Sequence, residues 1–137
     1  MSTVHEGSCL CGHIRFRTEG TPTNVSSCHC RMCQKASGAA YLTMAEFPKE
    51  QLTWVEREPQ WRASSDKAER GFCPKFGRLV SFRYARSDDV DVAVTLYDHP
   101  EAFPPTHDIF TESAQPWTKL DERLAHFPKE RDVKSET

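Results

Sequence analysis

Residues 28–33 read CHCRMC, three cysteines within six positions. Cys30 and Cys33 have the two-residue spacing of a zinc chelate, and Cys28 can turn its sulfur to the same side. Soft sulfur donors select zinc over magnesium or calcium. Three ligands leave a tetrahedral ion one position short, as in a catalytic site. A fourth ligand from elsewhere would close the site into a structural one, and three buried thiols without metal are the remaining reading. His29, between two sulfurs, is read as turned away from their metal.

Working outward, Cys9 and Cys11 stand in CLC, and Cys73 stands alone in FCPKFG, residues 72–77. Cys9 and Cys11 cannot hold zinc by themselves, and Cys73 is the distant third sulfur. Cys73 and the turn at Gly77 look like half of a knuckle in which Phe76 occupies the second thiolate's place. An isolated cysteine is usually a small buried apolar residue. The paired turns at Gly12 and Gly77 favour a metal site instead.

The chain has 137 residues, enough for one domain with its own core, and the whole of 1–137 is read as a single domain. Its 18 basic and 20 acidic residues leave a net charge of −2, and no basic block marks a nucleic-acid partner. The start, MSTVHEGSCLCGHIRF, lacks a basic and apolar leader, and no run of about 18 apolar residues suggests a membrane span. A soluble, cytoplasmic protein is expected. The reducing cytosol would keep its six cysteines as thiols, and clustered thiols there point to metal.

Nine prolines and six glycines cut the chain into short pieces, so the fold is expected to be mostly β with little helix. Period-two alternation predicts strands at His13–Arg17 and Asp91–Tyr97, Leu79–Tyr84 reads as a third strand following the FCPKFG turn, and further strands are expected at Tyr41–Met44 and Leu52–Val55. Arg31–Ala36 reads as a short helix stopped by Ser37 and Gly38. The proline-rich stretch from Asp98 is expected to wrap the sheet in extended segments, and the charged tail 129–137 to be mobile.

Five stretches, GSCLCGHIRF (7–16), CHCRMCQKASG (28–38), SSDKAERGFCPKFG (64–77), LYDHPEAFPPTHDIF (96–110) and PW (116–117), carry a resemblance to a known family. The chain resembles the glutathione-dependent formaldehyde-activating enzymes, a domain also found in a vertebrate centromere protein. The likeness runs over about residues 7–128. It implies a mostly β fold of small antiparallel sheets assembled around zinc–cysteine sites, of the Mss4-like, β-tent kind. It also implies that Cys28, Cys30 and Cys33 hold a catalytic zinc and that Cys9, Cys11 and Cys73 belong to a structural one. Phe76 stands where that second site has its fourth ligand, and phenylalanine has no lone pair. The second trio is therefore expected to bind zinc weakly or not at all, with Phe76 packed into the core beside it.

The activity implied is a carbon–sulfur lyase or synthase reaction, S-(hydroxymethyl)glutathione synthase-like, in which glutathione adds to formaldehyde. Glutathione carries two carboxylates, and Arg31 and Lys35 are the cations nearest the central cluster. Trp54, Trp61 and Trp117 are candidates for a pocket wall or for the core. The alternatives are the same zinc chemistry on another small thiol or electrophile, and a zinc-stabilised binding or scaffold domain without catalysis. A fourth protein ligand on the central ion would favour the scaffold. The oligomeric state is not legible in the sequence.

Overall fold

The computed structural model describes residues 3–131. In chain order the elements are β1 (Val4–Ser8), β2 (Arg15–Glu19), β3 (Asn24–Cys28), α1 (Arg31–Ser37), β4 (Leu42–Pro48), β5 (Leu52–Val55), β6 (Gln60–Ala63), β7 (Ala68–Phe72), β8 (Leu79–Tyr84), β9 (Asp89–Ala93), β10 (His107–Ile109) and β11 (Ala125–His126). They form a three-stranded sheet, β1-β2-β5, and an eight-stranded sheet in the order β11-β10-β3-β4-β9-β8-β7-β6. The fold is mostly β with one short helix, as expected. Pairings are antiparallel except where β10 runs parallel to β3 and β11.

Alternation explains the small sheet. Ile14, Phe16 and Thr18 are buried on one face, and Arg15 and Arg17 point out, so β2 presents a single apolar side to the larger sheet. Phe16 joins Val25, Ala45, Phe47, Val92, Val94, Tyr97 and Phe103 in the main core between the sheets. β1 is tied to the chain that follows β9 where Gly7 bridges Tyr97, just after the 3-10 turn. A Cβ on Gly7 would lie 2.5 Å from the Leu96 carbonyl oxygen and 2.6 Å from Cζ of Phe16, so only glycine permits this approach.

Three expectations need correction. The strand predicted over Asp91–Tyr97 ends at Ala93, and Val94–Leu96 form a 3-10 turn. The alternation there reflects burial of Val94 in the core and not further pairing. The stretch after Asp98 does not merely wrap the sheet, because β10 adds to its edge; Pro104 and Pro105 before it cannot donate to a ladder, which helps to keep the strand to three residues. Third, Phe76 is 56 % exposed and does not enter the core. Its backbone N–H is drawn to the Cys73 sulfur at 3.3 Å, while its ring lies on the solvent side of the turn. The tail expected to be mobile lies outside the described residues from position 132 onward.

Candidate metal centres

The CHCRMC segment sits where β3 gives way to α1. Cys28 is the last residue of β3, its Cα paired with Leu42 of β4 on one side and Ile109 of β10 on the other. Cys30 caps α1, with φ −65° and ψ 154°, and its sulfur accepts the Cys33 N–H at 3.2 Å. Extended backbone sends alternate side chains to opposite faces, so Cys28 and Cys30 point one way and His29 the other. The first turn of the helix then brings Cys33 back to them. His29, 1 % exposed, lies with Nε2 3.0 Å from Oδ1 of Asp108 on β10, under the ring of Tyr41.

The second trio is built from two matching turns. At one, the Gly12 N–H donates to the Cys9 carbonyl at 3.0 Å; at the other, the Gly77 N–H donates to the Cys73 carbonyl at 2.7 Å. Both glycines have φ near +80°, which lets the chain turn back at once. The Cys9 sulfur accepts the Ile14 N–H at 3.3 Å, as the Cys73 sulfur accepts that of Phe76. Cys9 and Cys73 are buried with Ile14 and Val80, and Cys11 is exposed.

Within each trio all sulfurs lie inside 4.8 Å of one another, and the Cys9–Cys11 and Cys11–Cys73 separations are 3.5 Å. A tetrahedral zinc with bonds of about 2.3 Å sets its sulfurs about 3.8 Å apart. Both donor sets therefore fit zinc with little movement. Among the described residues no fourth Cys, His, Asp or Glu joins either trio.

Two sets of three thiolates, one local and one gathered from distant turns, together with a two-sheet β frame, form a distinctive pattern. The sequence model of the glutathione-dependent formaldehyde-activating enzymes matches residues 4–113, which include all six cysteines. The chain belongs to this family. Its fold resembles that of a Rhodobacter sphaeroides protein of known crystal structure, at TM-score 0.55 and 17 % identity, over 68 % of this chain and 87 % of that one. No curated protein matches the sequence.

In this member of the formaldehyde-activating family, the three central cysteines lie close enough to shift one another's titration, and Cys30 is the one favoured as thiolate. The thiols of Cys28 and Cys33 and the Cys33 N–H all donate to its sulfur, and its pKa falls far below the ordinary thiol value. In the second trio burial works against the Cys9 thiolate, but the Ile14 N–H and the Cys11 and Cys73 thiols outweigh it and bring the pKa to about 7.

Arg31 and Lys35 lie together on the exposed side of α1, where they line an open cleft of about 370 Å³ with Gln34, Gln115 and Trp117. The three sulfurs are not part of that lining. Gln34 organises the cleft floor: its Nε2 donates to the carbonyls of His29 and Ser113, and its Oε1 accepts from Gln115 and from Arg31. Trp117 is 74 % exposed at the rim, whereas Trp54 packs against the core and Trp61 lies under the Arg83 guanidinium at 3.7 Å.

Arg70 is the residue that sequence reasoning missed. It is 4 % exposed on β7, with its guanidinium 4.8 Å above the Phe82 ring and Nη1 3.7 Å from the Cys33 sulfur. Reading AERGF as a strand would have set Arg70 on the same inward face as Ala68, and so would have flagged a buried cation.

Proposed function

We propose that this protein adds the thiol of glutathione to formaldehyde to give S-hydroxymethylglutathione, a zinc-dependent carbon–sulfur lyase chemistry in its synthetic direction. The observation that carries this reading is the Cys28, Cys30 and Cys33 trio, which gathers three sulfurs and no fourth protein ligand among the described residues. Zinc held there would supply Lewis acidity and a lowered pKa to a thiol at the free position. In the reaction a sulfur–carbon bond forms as the carbonyl π bond opens, and the thiol proton passes to the carbonyl oxygen. No oxidant or reductant is required.

The chain's own contribution is binding and orientation. Arg31 and Lys35 are one helical turn apart on α1 and can face the two carboxylates of the tripeptide. Gln34 fixes the Arg31 side chain, and the Trp117 ring offers an apolar wall. On the inner side Leu42, Met44, Leu79, Phe72 and Phe82 pack around the cysteines and keep bulk water away from the buried sulfurs. A reducing cytoplasm supplies the conditions in which these thiols and glutathione both stay reduced.

The test is glutathione-dependent formaldehyde consumption by the zinc-loaded protein, compared with the uncatalysed reaction and with Cys30→Ser. Acceleration lost in the variant is the expected result. Equal rates in all three would reduce the reading to a zinc-stabilised binding domain. The open, cationic cleft also suits other small acidic thiols, and substituting them in the same assay separates that reading.

A further inference from the structure

We propose that Arg70 is a positioning residue for the central metal site, a fixed buried cation that lets three neighbouring thiolates coexist in an apolar setting. The argument begins with cost. A guanidinium is charged at every accessible pH, and burying it without an anionic partner is strongly unfavourable. Arg70 is nearly fully buried, and among the described residues it makes no ion pair with any Asp or Glu. Its polar neighbour is the Cys33 sulfur at 3.7 Å, and its other face rests on the Phe82 ring.

The cluster has the complementary problem. Cys28, Cys30 and Cys33 pack against Leu42, Met44, Leu79, Phe72 and Phe82, surroundings that penalise anionic sulfur. Three thiolates on one divalent cation leave a net charge of −1, which a single guanidinium balances. Each partner is costly alone and tolerable beside the other. The second trio is built differently: Cys11 is exposed to water, so part of its charge is met by solvent. A buried counter-cation is needed at the central site and not at the outer one.

The inference rests on the trio being a metal site and is independent of the reaction performed there, because its readout is metal affinity. Zinc would be titrated against a competing chelator in proteins carrying Cys11→Ser, so that the central site reports. Arg70→Met keeps the apolar stem and removes the charge, and Arg70→Lys keeps the charge. The expected result is a loss of zinc affinity of about 10- to 100-fold in Arg70→Met, with Arg70→Lys recovering most of it. A packing role predicts the opposite order, with Met the better substitute, and that order would overturn the proposal. Unchanged affinity in Arg70→Met would overturn it too. Should the Met variant not fold, as judged by circular dichroism, Arg70→Gln takes its place under the same criteria.

Discussion

The sulfurs of Cys11 and Cys73 stand 3.5 Å apart although 62 residues separate them in the chain. That contact joins the turn after β1 to the turn after β7, and it leaves Phe76 outside, exposed, where a knuckle would place a fourth sulfur. A chelator should therefore strip metal from this trio before it strips the central one. Phe76→Cys should slow that release by about tenfold or more, because a fourth thiolate closes the site. Biphasic zinc release, with the fast phase slowed in Phe76→Cys, checks it; an unaltered fast phase would mean that something else already fills the corner.

Gly7→Ala should destabilise the protein by about 3 kcal/mol, measured by urea unfolding. The added methyl meets the Leu96 carbonyl, Phe16 and the Tyr97 backbone, all within 2.8 Å, and the packing of β1 on the Leu96–Tyr97 segment has to open. The sign is diagnostic, since Gly→Ala where a side chain fits stabilises modestly.

His107 supplies a pH dependence. Burial lowers its pKa below the ordinary imidazole value of about 6.5. The unfolded chain then binds more protons than the folded one as pH falls through the window below that value. The contribution of His107 is fully present above about pH 6.5 and is lost as pH drops through the folded pKa. Thermal melts of metal-free protein between pH 7.5 and 5 should show a larger drop in Tm for wild type than for His107→Gln.

Under the proposed reading, in which Arg31 and Lys35 hold the carboxylates away from the reacting sulfur, Arg31→Ala and Lys35→Ala should each raise the KM for glutathione several-fold, with kcat changed little. Trp117 gives an independent readout: glutathione should alter its fluorescence in wild type and not after Trp117→Phe. Equal KM values in wild type and both variants would remove the α1 cleft from the binding site.

The sequence is most informative where the chemistry is local. The C-x-C-x-x-C spacing assembles within six residues at the end of one strand, so its geometry follows from backbone periodicity alone, and the strand at Leu79–Tyr84 and the helix at Arg31 follow from a short apolar and aromatic run after a glycine turn and from a glycine stop. Legibility fails where a residue's environment is made by distant chain. Arg70 reads as an ordinary surface cation until β8 places Phe82 across from it and α1 places Cys33 beside it. Phe76 reads as core because it is phenylalanine, yet its turn carries the ring outward. The strand β10, between β3 and β11, is three residues long, too short for any periodicity to show.

The Cys11–Cys73 contact encloses the CHCRMC segment within the loop it closes. The inner trio needs only a strand end and one helical turn, whereas the outer trio must wait for a long loop to close against its entropy. Loop-closure entropy therefore predicts an order of assembly, in which the inner cradle gathers early from local contacts and the outer one closes later, with the turns after β1 and β7. The outer cysteines act as the latch of a finished fold, and their accessibility to a thiol reagent during refolding reports the moment at which it shuts.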